Sequence, residues 1–246
     1  MRIEPNLYLV GSGNMGFSLT DAFDCNIFLF DSGDGYVMFD AGTGMGMDAI
    51  WAVCRQDGID PDLIDHLFLT HAHGDHGGGA AHVRDRTAVT VYAGADTARI
   101  VTAGDEEAVS LPAAREAGVY PADYVYRACT VDRVLVAGER IEIGALTIEY
   151  VPTPGHSHDH GSYLVTRGDR RYLVGGDAIF HGGRIVLQHT WDCSVPQSIA
   201  SIEHLNTLDF GALLPGHLSF SLHNGKRHIE TAMGVIAQLG CPPALA

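Results

Sequence analysis

The sequence predicts an α/β chain built of two β-sheets with helices on the outside. Three observations carry this. Short apolar strand-like runs open the chain, a helical run follows, strands return, and a helical run comes last. At 246 residues and 46% hydrophobic, the chain can bury a substantial core. Ligand-type side chains also recur where apolar runs end, the usual place for function on a rigid frame.

The elements follow in order. Leu7 to Val10 is a short apolar strand, and Gly11 to Phe23 is a glycine-rich loop at the mouth of a site. Asn26 to Phe30 and Tyr36 to Phe39 flank Asp31-Ser32-Gly33-Asp34-Gly35, a hairpin turn. Met47 to Gln56 has helical spacing and Gly58 ends it. Ile64 to Leu69 reads as a buried strand, Ala88 to Tyr92 as another, and Ala95 to Thr102 as a helix. Residues 104–130 lack strand alternation and contain Pro112, Gly118 and Pro121, which marks a helical or irregular insertion over the site. Ile141 to Ile143 and Leu146 to Val151 pair across Gly144, and Ser162 to Thr166 and Arg171 to Val174 across Arg167-Gly168-Asp169-Arg170. Ser194-Val195-Pro196-Gln197 resembles a capping box opening a helix to Leu208. Ala212 to Leu214 is a short strand and Arg227 to Leu239 the last helix. No linker, repeat or low-complexity segment interrupts this order, so a single domain over 1–246 is expected.

Composition excludes several classes. A formal charge of -15 opposes a nucleic-acid groove, which wants clustered Lys and Arg, and equally opposes docking on anionic membrane. The five cysteines are odd in number and lack C-x-x-C spacing, as expected of reduced thiols in a cytoplasmic protein. The N-terminus has no signal-peptide pattern and no run reaches membrane-span length. The oligomeric state is not legible.

The chemistry centres on Thr70-His71-Ala72-His73-Gly74-Asp75-His76-Gly77-Gly78-Gly79, with three histidines and one aspartate within six residues. Imidazole and carboxylate suit zinc first, and manganese or iron as well. His71 and His73 can face one ion while Asp75 and His76 face a second. The glycine run is expected to turn sharply and pass close to whatever the histidines hold. A polar loop with chance histidines is the competing reading, and four ligands are too few for two ions.

The rest lie downstream. Thr153-Pro154-Gly155-His156, Gly175-Gly176-Asp177 and Pro215-Gly216-His217 each follow an apolar strand. Together they complete a set: His71, His73 and His156 for one ion, Asp75, His76 and His217 for the other, and Asp177 between them. Asp40, at the end of a strand, is expected to support a ligand.

These residues resemble the metallo-β-lactamase superfamily of metallohydrolases. Its T-H-x-H-x-D-H-x-G-G signature is matched by Thr70 to Gly79, and Thr153 to Ser157, Gly176 to Phe180 and Leu214 to His217 match the later motifs in order. The resemblance implies an αββα metallo-β-lactamase-like sandwich, two mixed sheets with helices on the outside and metals at one edge. Asp177 with Phe180 resembles the G-D-x-x-F of the glyoxalase II-like branch. Acyl-homoserine-lactone lactonases carry a tyrosine where Phe180 stands, and the antibiotic-hydrolysing enzymes usually lack the bridging carboxylate. Only 29 residues follow His217, where glyoxalase II has a glutathione-binding helical region, so a glutathione thioester is expected to be a poor substrate.

The expected activity is therefore hydrolysis of a small ester, thioester or lactone by a metal-bridging hydroxide, with two divalent ions and with Asp75 orienting the nucleophile or passing on its proton. The alternative is an oxidoreductase: persulfide dioxygenases share the fold but use one iron, on ligands corresponding to His71, His156 and Asp177. A non-catalytic metal module is a third class, disfavoured because every ligand position is filled. Among the remaining histidines, His160 is expected to support a ligand. His181 and His189 are candidates to line the substrate side, and His66, His82, His204, His223 and His228 are structural. Tyr120, Tyr124 and Tyr126 contact substrate or pack.

Overall fold

The computed structural model describes residues 1–245. The chain divides into two compact units, Met1–Leu135 and Val136–Ala246. In the first unit, β1 (Arg2–Glu4), β2 (Leu7–Gly11), β3 (Ile27–Asp31) and β4 (Tyr36–Phe39) precede α1 (Met47–Gln56) and β5 (Ile64–Phe68). Two short helices, α2 (Gly74–Gly77) and α3 (Ala80–Arg86), lead to β6 (Thr90–Gly94), α4 (Ala95–Ala103), α5 (Leu111–Glu116) and β7 (Arg133–Leu135). Among the described residues the sheet has seven strands in sequence order. It is antiparallel from β1 to β4 and parallel from β4 to β7.

Both faces of this sheet are buried, so its central strands read as continuous apolar runs and not as alternating ones. One face sets Leu29, Met38, Leu67 and Val91 against Ile50, Trp51 and Cys54 of α1 and Ile100 and Val101 of α4. On the other, Phe30, Phe39, Phe68 and Tyr92 form a ladder of rings, with centroids 5.5, 5.4 and 4.3 Å apart along the row. Phe39 and Phe68, and then Phe68 and Tyr92, are direct register partners, so the ladder pins the strand alignment.

The second unit carries β8 (Arg140–Ile143), β9 (Leu146–Pro152), β10 (Gly161–Arg167), β11 (Arg170–Gly176), α6 (Val195–Thr207), β12 (Ala212–Pro215) and α7 (Lys226–Ile236). Its five-stranded sheet runs β12-β11-β10-β9-β8 and is antiparallel except for the β11–β12 pair. Leu164, Leu173 and Leu213 pack with Ile202 and Leu205 of α6 and Ile229 of α7. Ser194 caps α6 by accepting from the Gln197 amide, as the capping-box reading expects.

This topology explains where ligand-type residues collect. In the first unit β4 and β5 are parallel, so Asp40 and Thr70 leave neighbouring strands at the same edge. In the second unit β9 and β11 both run antiparallel to β10, and β12 runs parallel to β11. The strands preceding His156, Asp177 and His217 therefore all end on one edge.

The structure corrects three local expectations. β1 and β7, each of three residues, go unread because so short a run has no periodicity. The segment after His73 is helical: Gly78 and Gly79 both have right-handed helical dihedrals, so the glycines do not make a sharp turn. Their use is close approach. A methyl group on Gly79 would collide with the backbone oxygen of Ala41, and one on Gly78 with Gly74 O and the Tyr124 hydroxyl. The last helix ends at Ile236, three residues before Leu239.

Because the atom facing Gly79 is backbone, Gly79→Ala cannot be accommodated by a rotamer change. Its expected cost is at least the overpacking range of about 1–3 kcal/mol. Urea unfolding of the metal-free protein, read as a lower midpoint, checks this.

Candidate metal centre

The first unit supplies His71, His73, Asp75 and His76 from the turn after β5 and from α2. His71, His73 and His76 are buried, and the rings of His73 and His76 lie 4.6 and 4.1 Å from that of His71. Burying imidazoles this densely needs hydrogen bonds that fix each ring. Asp40 provides them. Its carboxylate accepts from His76 Nδ1 at 2.8 Å, from the Thr70 amide at 2.8 Å and from the Thr70 hydroxyl at 2.9 Å. The Thr70 oxygen lies 3.0 Å from His71 Nδ1. With its own proton given to Asp40, that oxygen accepts from His71. Both histidines thus carry their protons on Nδ1 and present the Nε2 lone pair, as metal-bound histidines do. Asp40 itself sits at φ 59°, a left-handed conformation that aspartate tolerates better than most side chains.

Asp75 lies beside His76, with Oδ2 3.7 Å from His76 Nε2, and its side chain is 19% exposed whereas that of His76 is fully buried. Cys25 forms a further grouping with Asp40 and His76. Burial pushes its thiol up to about 12, so it stays protonated and packs beneath the cluster.

The second unit supplies His156, Asp177 and His217, all buried. One oxygen of Asp177, Oδ2, lies 3.5 Å from His156 Nε2 and 3.4 Å from His217 Nε2. Charge-assisted hydrogen bonds are shorter, about 2.7–2.9 Å. Two ligand atoms on one tetrahedral ion, each bonded at about 2.0–2.1 Å, stand about 3.4 Å apart. The donor set thus fits metal ions, with Asp177 facing a histidine on either side. His160 does not join it. Its Nε2 accepts from the Asp177 amide at 2.9 Å and its Nδ1 bonds the Thr153 hydroxyl at 2.9 Å, which in turn reaches Ser162 at 2.9 Å. His160 therefore holds the backbone at Asp177, as the sequence reading expects. The Phe180 ring stacks 6.2 Å from that of His217.

Other candidates divide. His181 and His189 are exposed, and His181 lies against His228, 4.4 Å between rings. His228 accepts from the Gly182 amide at Nδ1, so its Nε2 carries the proton and donates to Ser221 at 2.8 Å. That direction is wrong for a base activating a serine. Burial also pushes His228 down to about 4, which keeps it neutral. His158 is exposed beside Trp191, 5.5 Å between rings. Of the insertion's tyrosines, Tyr120 donates to Asp75 Oδ1 at 3.0 Å, and Tyr124 reaches the backbone oxygens of Gly74 and Thr43 at 3.0 and 3.1 Å. Burial and the charge of Asp75 hold the Tyr120 phenol well above its usual range, so it remains a donor.

The sequence profile of the metallo-β-lactamase superfamily matches residues 20–217, a span containing every one of these candidate ligands. The chain belongs to that superfamily. Its members are metal-dependent, and this member carries the His/Asp donors for metal ions. A Bacillus subtilis relative, "Probable metallo-hydrolase YqgX", is 30% identical over 159 residues, 64% of this chain and 67% of that protein. A hydroxyacylglutathione hydrolase of Rhodopseudomonas palustris is 28% identical over 153 residues, 61% of this chain and 49% of that protein. The matched region spans about half the length of such relatives. Among solved structures, BJP-1, a subclass B3 metallo-β-lactamase of Bradyrhizobium japonicum, has a TM-score of 0.74 at 20% identity, covering 97% of this chain and 91% of that one. FEZ-1 of Legionella gormanii has a TM-score of 0.72 at 20% identity, covering 97% and 94%. These likenesses show the metallo-β-lactamase fold, two mixed sheets with helices. Among the described residues no helix is long and apolar enough to cross a membrane.

Asp40→Asn keeps the shape but loses the charge that accepts from His76 and Thr70. Loss of such a supporting partner typically weakens metal affinity about 10–100-fold. Chelator competition against the purified variant reads that loss.

Proposed function

We propose that this superfamily member is a dinuclear metal-dependent hydrolase of a small ester, thioester or lactone. Zinc is the first candidate metal. His71, His73 and His156 would hold one ion, Asp75, His76 and His217 the other, and Asp177 both. The carrying observation is Asp177 Oδ2, a single carboxylate oxygen set about equally from His156 and His217. A residue so placed suits a bridge, and a bridge needs two ions. The kinship to hydroxyacylglutathione hydrolases, whose name denotes cleavage of an acylated thiol, supports acyl transfer to water.

When bound, such a pair of ions supplies an activated water at neutral pH, lowering its pKa from 15.7 to about 7, and a Lewis acid for the carbonyl oxygen. The chain's own residues do the rest. Asp40 and Thr70 keep His71 and His76 in one tautomer and one orientation. His160 fixes the backbone at Asp177, so the bridging carboxylate keeps its place between His156 and His217. Asp75, the partly exposed acid of the set, would bind the second ion and orient the nucleophile or pass on its proton. The part-buried Ser221–His228 pair points the wrong way for an activated serine, and burial keeps the Cys25 thiol protonated.

Asp177→Asn tests the reading. Supplied with zinc, manganese or iron, the wild type should hold about two ions per chain and turn over at least one class in a screen of acyl thioesters, lactones and phosphodiesters. The variant should lose turnover by orders of magnitude and hold less metal. Wild-type turnover in the variant would overturn the bridging assignment. One iron per chain with rapid oxygen uptake on glutathione persulfide would replace the hydrolase with a dioxygenase.

A further inference from the structure

The insertion between α4 and β7 holds a feature that the ligand signature does not require. Glu106 and Arg115 form a two-pronged pair, 2.8 and 2.7 Å, in which the flat guanidinium meets the flat carboxylate. Arg115 also donates to the Tyr124 carbonyl through Nε at 2.7 Å and through Nη2, and the Tyr126 amide donates to Glu106 at 3.0 Å. Both ends of the loop after α5 are thus tied to one ion pair. Between those ties lie Tyr120 and Tyr124, their rings 5.2 Å apart.

The loop spends both hydroxyls on the ligand helix α2. Tyr124 bonds the backbone oxygen of Gly74, the first residue of α2. Tyr120 donates to Asp75 Oδ1, and its ring rests 5.8 Å from Phe23. The other Asp75 oxygen, Oδ2, is the one near His76 Nε2. The two carboxylate oxygens therefore face different partners. The Tyr120 hydrogen bond opposes rotation of this carboxylate and favours presenting Oδ2 on the His76 side.

We propose that Tyr120 is a positioning residue for Asp75, and that residues 104–130 form a clamp setting which oxygen Asp75 gives to the ion it shares with His76. The inference rests on the dinuclear reading above. It assigns the insertion a role in metal binding, where the sequence reading left it as a cover.

Tyr120→Phe removes the hydroxyl and keeps the ring against Phe23. The test is titration of the apo-protein with zinc in competition with a chelator, beside the visible spectrum of the cobalt(II)-loaded protein. In the variant the weaker-held ion should bind about 10–100-fold less tightly, the usual effect of losing a partner to a ligand. The cobalt bands of that ion should change, and kcat should fall more than KM rises. Arg115→Met should shift the same ion in the same direction through the loosened loop. The metal-free Tyr120→Phe protein should melt with the wild type, which separates positioning from a general loss of packing.

Unchanged zinc titration and cobalt spectrum in Tyr120→Phe, with two ions in the wild type, would overturn the clamp and leave the hydrolase reading intact. A wild type that takes up a single ion would overturn both. The titration needs no substrate, so a failed substrate screen bears on the function alone.

Discussion

The site rests on one buried carboxylate. Asp40 accepts from His76, from the Thr70 amide and from the Thr70 hydroxyl, and Thr70 in turn orients His71. A buried carboxylate left without donors would be strongly destabilising, and buried imidazoles without acceptors would orient at random. Each solves the other's problem. The arrangement is possible because β4 and β5 are parallel neighbours, so the residues just past Phe39 and Phe68 leave the sheet side by side. The stacked Phe39–Phe68–Tyr92 ladder fixes that alignment from below. A slip of the pairing by one residue would turn the rings to the opposite face.

Close packing carries this rigidity to the ligand helix. Ala41 donates to the His76 carbonyl at 2.8 Å and Gly79 to the Gly42 carbonyl at 2.8 Å, so the segment after Asp40 lies directly on α2 and the start of α3. A β-carbon on Gly78 or Gly79 would open that contact. The glycines in the signature are thus explained by what crosses them, not by the turn they make.

Most of the fold was legible because its strands are apolar and its turns carry glycine. The elements that escaped are those too short to show a period: β1, β7, the four residues of α2 and the seven of α3. The candidate ligands stood out because His71, His73, Asp75 and His76 crowd into six residues, and His156, Asp177 and His217 each follow a strand and a glycine. Supporting residues were legible in proportion to their nearness in sequence. His160 lies four positions from His156 and was recognised; Asp40 carried the cue of a strand end. Tyr120 is 45 residues from Asp75, and Glu106 and Arg115 act only through the loop between them. Nothing in the local sequence distinguishes Glu106 and Arg115 from ordinary surface side chains, and Tyr120, read as contacting substrate or packing, carries no cue to Asp75. Their partner is set by the folded chain, and sequence periodicity carries no record of it.

The same hydrogen-bond bookkeeping bears on specificity. His76, His71 and His160 each have a ring nitrogen committed to the scaffold, Asp75 has an oxygen committed to Tyr120, and Asp177 faces two histidines. Side chains constrained on every side have little freedom to choose among substrates. That freedom lies in what is exposed and apolar on the loops. The first unit offers Phe17, Met45 and Val119, and the second offers Leu187 and Trp191, the last 61% exposed. Exposed loop side chains of this kind are not committed to the scaffold, so they can vary without disturbing the buried cluster. Relatives with one fold and one set of buried donors can then differ in function, because a fold does not by itself fix what a site does.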